Sequence, residues 1–272
     1  MNLEQILVLA LVQGITEFLP ISSSGHLILV PALMHWKDQG LIVDVMVHMG
    51  SFMAVIVYFW RDVVQLSLGG LELLRGRMTG RAKLALYIIL ATIPAVIFGL
   101  IVKKTGLQEA VRGPTIVAVN AILFGIVMYV ADRFSRQSRG VEDMDLKSAL
   151  IIGVAQAVAI IPGTSRSGIT MAAGRFLNLT RHEAARFSFL VGIPAIAGAG
   201  VLVLGDAVAS GETISSDAVL TGALTFLVAL GAIAFLMRVI TRVGLVPFVI
   251  YRFLLAGVLF WLIWTGYFGP AA

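Results

Sequence analysis

The sequence predicts an all-α polytopic membrane protein with six transmembrane helices and two re-entrant helical hairpins, arranged as an inverted-topology repeat. Three observations predict it. Hydrophobic residues make up 59% of the chain, mean hydropathy is +0.97, and charged residues make up 13%, about half the share of a soluble domain. A chain of 272 residues has no core large enough for that much apolar surface, so most of it must face lipid. The apolar residues also run in long unbroken stretches, unlike the roughly ten-residue alternating strands of an outer-membrane barrel. Finally, two stretches are interrupted at their centres by Pro, Gly and Ser, and those two centres resemble each other.

Taken in order, the chain begins with "MNLEQILVLALVQG", which has neither a basic n-region nor a small-residue cleavage site and reads as retained structure. It opens the first interrupted stretch, 3–36. Spans are expected near 41–60, 84–102 and 114–131, then the second interrupted stretch, 147–178, then spans near 184–205, 218–237 and 245–266. Each span approaches the roughly 20 residues needed to cross a core of about 30 Å. Each half of an interrupted stretch has only about 12–17 residues, the length of a re-entrant segment, which survives in a membrane where protein or a wet cavity surrounds it.

Loop charges set the sidedness. The connection 61–83 carries Arg61, Arg75, Arg77, Arg81 and Lys83, and 132–147 carries Arg133, Arg136, Arg139 and Lys147. Arg238 and Arg242 lie near the third such connection, whereas 206–217 has Asp206, Glu212 and Asp217 and no basic residue. The positive-inside rule puts the first three in the cytoplasm and 206–217, with both termini, outside. The connection 103–113, with Lys103, Lys104 and Arg112, falls outside as the one exception. The net charge of +5 and pI near 9.8 are explained by these loops and by anionic lipid; no nucleic-acid motif is present. Arg175, Arg181, His182, Glu183 and Arg186 read as a solvated cytoplasmic turn. With no cysteine, disulfide and thiolate chemistry are excluded.

"QGITEFLPISSSGHL" (13–27) slides onto "QAVAIIPGTSRSGIT" (156–170) with an offset of 143, pairing Gln13 with Gln156, Ser22 with Ser165, Ser24 with Ser167 and Gly25 with Gly168. Three spans follow each window, and the two windows enter from opposite sides. Repeat 1 is therefore about 1–131 and repeat 2 about 147–266, a layout that places the site where the halves meet.

Arg166 carries the sharpest signal. An arginine at bilayer depth costs at least about 2.5–3.5 kcal/mol on insertion scales, so it needs a purpose there. Its planar fork of donors suits phosphate oxygens. Gly163 and Gly168, with the hydroxyls of Thr164, Ser165, Ser167 and Thr170 and the N–H groups opening a half-helix near 167, fit a phosphate cradle. In the first window Glu17 can bind a hard cation or act as a base, and Gln13 lies one turn earlier on the same face. Ser22, Ser23 and Ser24 are nucleophiles or phosphate donors, and His26 can move a proton or attack phosphorus itself. No histidine pair has zinc spacing. Asp44 and His48, at i and i+4, read as a local helix pair near the interface.

The two windows resemble the signature motifs of the BacA-type undecaprenyl-diphosphate phosphatases, the bacitracin-resistance proteins, and the resemblance extends over the whole chain in length, motif order and span count. It implies hydrolysis of a C55 lipid diphosphate to the monophosphate carrier of cell-wall synthesis. It also implies a divalent cation (Mg²⁺ or Ca²⁺), a bacterial inner membrane, and a site reached from the outer face. By motif position the implied functional residues are Glu17, Ser23, His26, Ser165, Arg166 and Thr170, with Glu17 and Gln13 as cation ligands. Many members carry glutamate where this chain has Gln13, whose amide can coordinate through oxygen but cannot act as a base. Expected partners are the polyprenyl diphosphate, membrane lipid and a second copy in a homodimer, with no nucleic acid.

Two other readings use the same residues. The acid-phosphatase superfamily shares a "SGH" element, but it requires a later His–Asp pair, and His182 has no aspartate four residues on. A transporter or flippase would use Glu17 and Arg166 for binding without chemistry. Between His26 and Ser23 as nucleophile the residues leave the choice open, with His26 preferred.

Overall fold

The computed structural model describes residues 1–36, 39–106, 113–209 and 213–268. Among them are eleven α-helices: α1 (Leu3–Thr16), α2 (Ser23–Met34), α3 (Leu41–Tyr58), α4 (Trp60–Leu74), α5 (Gly80–Thr105), α6 (Pro114–Phe134), α7 (Leu146–Val158), α8 (Arg166–Phe176), α9 (Arg181–Ala209), α10 (Ser216–Val243) and α11 (Val246–Trp264). No strand is present among the described residues. Six of the helices are long and apolar enough to cross a membrane: α3, α5, α6, α9, α10 and α11. These are the six expected spans. The two interrupted stretches are the short pairs α1–α2 and α7–α8.

Each break has a local cause. Pro20 disfavours helix at Leu19, and the chain restarts only at Ser23. Pro162 and Gly163 stop α7 in the same way, and α8 begins at Arg166. Phe18, fully buried, plugs the first break into the core edge-to-face against Phe189 of α9, ring centres 5.4 Å apart. Of the short pairs, α1 packs on α10, and α7 packs on α5. Long spans approach closely through small residues; a Cβ on Gly50 of α3 would sit 2.2 Å from the carbonyl oxygen of Gly222 in α10. The outer faces stay apolar and exposed. Leu3, Leu7 and Leu11 on α1 are matched, 143 residues on, by Leu146, Leu150 and Val154 on α7.

Contacts at the ends of the bundle group the loops as the charge pattern did. The N-terminal amine lies 2.6 Å from Asp217, and Tyr267 hydrogen-bonds the Leu33 carbonyl and His35. At the other end Arg186 pairs with Asp62, and residues 138–139 bond to Asn178. Arg112 and Glu212, two of the loop charges used for sidedness, lie outside the described residues, as does the side chain of Asp206.

Two expectations are corrected. The connection 61–83 is largely helix: Trp60, Val64, Leu68 and Leu71 recur at spacings of four, four and three along one exposed face of α4, with the Arg61 guanidinium over the Trp60 ring. The basic residues had disguised that period as a loop. Nor are Arg175 and Arg181 a solvated turn. Arg175 is 1% exposed, and both donate to the buried Asp132 of α6, at 3.2 Å and 2.8 Å. Asp132 also accepts from the Leu245 N–H, so one carboxylate ties α6, α8, α9 and the α10–α11 turn together. Stripping a partner from a buried node of this kind costs about 3–5 kcal/mol.

Candidate active site

The two breaks meet at Glu17. Its carboxylate, 7% exposed, is used on both oxygens. Oε2 accepts from Ser23 Oγ at 2.6 Å and from Gln13 Nε2 at 3.1 Å, and Oε1 accepts from Arg166 Nη2 at 3.0 Å. Ser23 and Arg166, which correspond under the offset of 143, both donate to this one carboxylate. Ser167 Oγ donates to the Leu19 carbonyl at 3.3 Å and joins the breaks a second time.

Arg166 lies across α9. Its Nη1 donates to the Ser188 carbonyl at 3.1 Å, and a Cβ on Gly192 would fall 2.1 Å from Nη1, so any side chain there would push the guanidinium from this position. The turn that delivers it is tight. Gly163 has φ +86°, and Ser165, which is not glycine, has φ 72°, a conformation costing on the order of 1–3 kcal/mol. Ser22 repeats this with φ 76°.

The hydroxyls expected around a phosphate divide into two groups. Ser165 Oγ caps α8 by accepting from the Gly168 N–H at 3.2 Å and lies 3.3 Å from Ser167 Oγ. Thr170 Oγ1 donates to the Arg166 carbonyl and contacts Ser188 Oγ at 2.6 Å. These hydroxyls brace the turn. Thr164 Oγ1 is buried without a partner, Ser22 is buried, and Ser24 is exposed with its Oγ 3.4 Å from Ser22 Oγ.

His26 faces elsewhere. Nδ1 donates to the Ser22 carbonyl at 2.7 Å, so in the neutral ring Nε2 accepts from the Tyr251 hydroxyl, also at 2.7 Å. Both nitrogens are engaged, whereas the Ser23 hydroxyl already rests on a carboxylate. As donors for a hard cation, Glu17 offers carboxylate oxygens and Gln13 offers Oε1, buried and without a hydrogen-bond partner. Gln156, the equivalent of Gln13, has the same orphaned oxygen. No group of three or more His, Asp or Glu among the described residues forms a metal cluster. One carboxylate and one amide oxygen are donor types suited to a cation of the Mg²⁺ type, which completes its shell from phosphate and water. Gln13 turns its Nε2 to Glu17, however, so its amide would have to flip for both to hold one ion.

Sequence reasoning missed three residues here and read a fourth, His48, only as part of a local pair. His48 is more than half of a local pair: its Nδ1 donates to the Asp44 carbonyl at 2.6 Å and Nε2 lies 3.9 Å from Glu17 Oε2. Ser188, Gly192 and Arg252 were overlooked. Arg252 is completely buried in the last span, and the cost argument applied to Arg166 would have singled it out.

Known proteins match over nearly the full length. The family model described as bacitracin resistance protein BacA matches residues 6–258. A protein of Erythrobacter litoralis named undecaprenyl-diphosphatase is 45% identical over 274 residues, covering 93% of this chain and 96% of that protein. Proteins of the same name from Maricaulis maris and Alteromonas mediterranea are 46% and 44% identical, covering 93% and 97% of this chain and 96% and 100% of their own lengths.

Proposed function

The chain belongs to the bacitracin resistance protein BacA family, and from that premise we propose how its residues do the family's chemistry. It is an integral-membrane phosphatase that hydrolyses undecaprenyl diphosphate to undecaprenyl phosphate and inorganic phosphate, not a carrier that binds without reaction. The observation that carries the assignment of roles is the 2.6 Å hydrogen bond from Ser23 Oγ to Glu17 Oε2, with Arg166 on the other oxygen.

Without substrate, Arg166 and Glu17 neutralise each other in a site too dry to hold either charge alone. The diphosphate offers the guanidinium a more highly charged partner and draws it off Glu17. The carboxylate, relieved of its counter-charge, becomes the stronger base toward Ser23. Glu17 takes the Ser23 proton, Oγ attacks the terminal phosphorus, and the bond to the bridging oxygen breaks, with the electron pair leaving on undecaprenyl phosphate. Glu17 passes its proton to the departing undecaprenyl phosphate and then takes one from water, whose oxygen attacks the phosphoserine phosphorus. The P–Oγ bond breaks, inorganic phosphate leaves and Ser23 Oγ recovers the proton from Glu17. Arg166 and the N–H groups opening α8 stabilise the charge on the transferring phosphoryl group. With Glu17 serving as the base, a divalent cation would be held by the Gln13 amide oxygen together with the phosphates, and would supply further charge neutralisation there. His26 orients the Ser22–Ser23 backbone.

The test is the intermediate. Enzyme quenched during turnover of labelled substrate should carry an acid-stable, alkali-labile adduct at Ser23. An acid-labile adduct at His26 would make histidine the nucleophile. No adduct, with solvent oxygen entering phosphate in one inverting step, would make water the nucleophile.

We place the site toward the outer face of a bacterial inner membrane, with α1–α2 re-entering from outside and α7–α8 from the cytoplasm. The support is the basic connections, the six spans, and the grouping of Met1 with Asp217 and of His35 with Tyr267. The chain has no cysteine, so single cysteines at Ser215 and Lys147 report cleanly. They should label from opposite sides of intact cells, Ser215 from outside; labelling of Ser215 only after permeabilisation inverts the topology.

A further inference from the structure

We propose that Tyr251 and Arg252, consecutive residues of α11, are positioning residues that hold the two breaks in one fixed relation. Each fixes the backbone beside one of the two left-handed serines, and the proposal rests on the Ser23–Glu17–Arg166 reading above. Arg252 is 0% exposed, and its hydrogen bonds all end on carbonyls. Nη2 donates to Gly163 at 2.7 Å and Asn120 at 2.9 Å, Nη1 to Thr164 at 3.1 Å, and Nε to Ala121 at 3.1 Å. Asn120 Nδ2 takes the Pro162 carbonyl at 2.8 Å. Three consecutive carbonyls, 162–164, are therefore held immediately ahead of Ser165.

The peptide plane that carries the Thr164 carbonyl also carries the Ser165 N–H, so the guanidinium sets the orientation from which Arg166 departs. A buried arginine that serves only dipoles is expensive to keep. Its planar fork is the one side chain able to grip adjacent carbonyls on two segments at once. At the neighbouring position Tyr251 does the corresponding job indirectly. Its hydroxyl bonds His26 Nε2 at 2.7 Å, the rings stack with centres 5.8 Å apart, and His26 Nδ1 holds the Ser22 carbonyl at 2.7 Å. That carbonyl shares its peptide plane with the Ser23 N–H. One rigid helix thus aims the proposed nucleophile through Tyr251 and the phosphate-binding arginine through Arg252. In-line transfer depends on that mutual aim, and an error of about 1 Å costs on the order of 10²-fold.

Tyr251→Phe deletes one hydroxyl from a side chain that is 40% exposed, so the fold should survive. With undecaprenyl diphosphate in detergent, its kcat should fall about tenfold while KM stays within about twofold, and its unfolding midpoint should match wild type, which separates lost aim from a smaller folded fraction. Because Tyr251 acts through His26, adding Tyr251→Phe to His26→Ala should change turnover by less than about twofold. Arg252→Lys should lower kcat on the order of 10²-fold, and it should have little further effect on top of Arg166→Ala. Wild-type turnover by Tyr251→Phe overturns the proposal whatever Arg252→Lys does, and so do losses that multiply fully with His26→Ala. If Ser23→Ala and Arg166→Lys are themselves fully active, the underlying site reading has failed. If both are crippled and Tyr251→Phe is not, only the positioning proposal has.

Discussion

At Ser22 the backbone turns through φ 76° and α2 starts with no side-chain cap; at Ser165 it turns through φ 72° and the serine hydroxyl caps α8 through the Gly168 N–H. The same contrast runs through both breaks. In the second, the carbonyls of Pro162, Gly163 and Thr164 are each held by Asn120 or Arg252, and Thr170 and Ser188 brace the helix start. In the first, the hydroxyl of Ser23 rests on Glu17, and Ser24 is exposed. The two turns share one backbone shape, with a positive φ at Ser22 and at Ser165. One turn is bound tightly and presents a fixed cation; the other keeps hydroxyls and a carboxylate in bonds that a reaction must break and remake. A transferring phosphoryl group needs both, a rigid electrostatic partner and a group free to change bonds.

The comparison is broken most severely by removing what the first turn has and the second lacks. Position 17 is glutamate, whereas its equivalent, 160, is isoleucine. Glu17→Gln keeps the shape and can still meet Arg166 through oxygen, but it cannot take the Ser23 proton. Turnover should fall about 10²–10⁴-fold, the usual contribution of a general base. Binding of a non-hydrolysable diphosphonate should be retained, because the guanidinium has lost its competitor. Turnover within tenfold of wild type would remove Glu17 from the base role.

Rigidity of the second turn is the next term to test. Arg166→Lys keeps the charge and loses the fork, and the rate should fall about 10²–10³-fold. Gly192→Ala approaches the same defect from the neighbouring helix without touching the arginine, since its methyl would occupy the space of Nη1. A loss of comparable order, about 10²-fold, is expected if placement matters as much as charge. Near-normal rates in folded Arg166→Lys protein would make Arg166 structural.

How much of this was legible in the sequence follows from the range of the interactions. The six spans are statements about local composition, and 41–60, 114–131 and 245–266 were recovered nearly as read. The breaks were legible because Pro20, Pro162 and Gly163 act on their own backbone. Glu17 and Arg166, 149 residues apart, were assigned to one site only because the offset of 143 implied that the two turns converge, and their direct ion pair was not foreseen. Helix α4 was lost because charge was weighed before period. His48, Ser188 and Gly192 could not be found from local pattern, since each matters for what another helix places against it. The preference for His26 over Ser23 failed to anticipate Tyr251, a partner 225 residues away that engages the nitrogen left free by Ser22.

The smallest effect separates the two serines themselves. Alanine at either position keeps the left-handed φ and its strain, so the substitutions differ only in what the hydroxyl was doing. Ser165→Ala deletes the acceptor of the Gly168 N–H and leaves a buried helix start with an unpaired donor, a loss worth about 0.5–2 kcal/mol at ordinary caps. Ser22→Ala deletes a hydroxyl whose neighbour is Ser24 Oγ at 3.4 Å, and no backbone N–H depends on it. Unfolding of the two variants in mixed micelles should therefore differ by about 1 kcal/mol, with Ser165→Ala the less stable. Activity should sort the other way if the first turn is the adaptable one, because Ser22 adjoins the proposed nucleophile and only its carbonyl, through His26, is braced. Equal stabilities would mean that α2 has a cap equivalent to that of α8, and the contrast between a held turn and a free one would have to be abandoned.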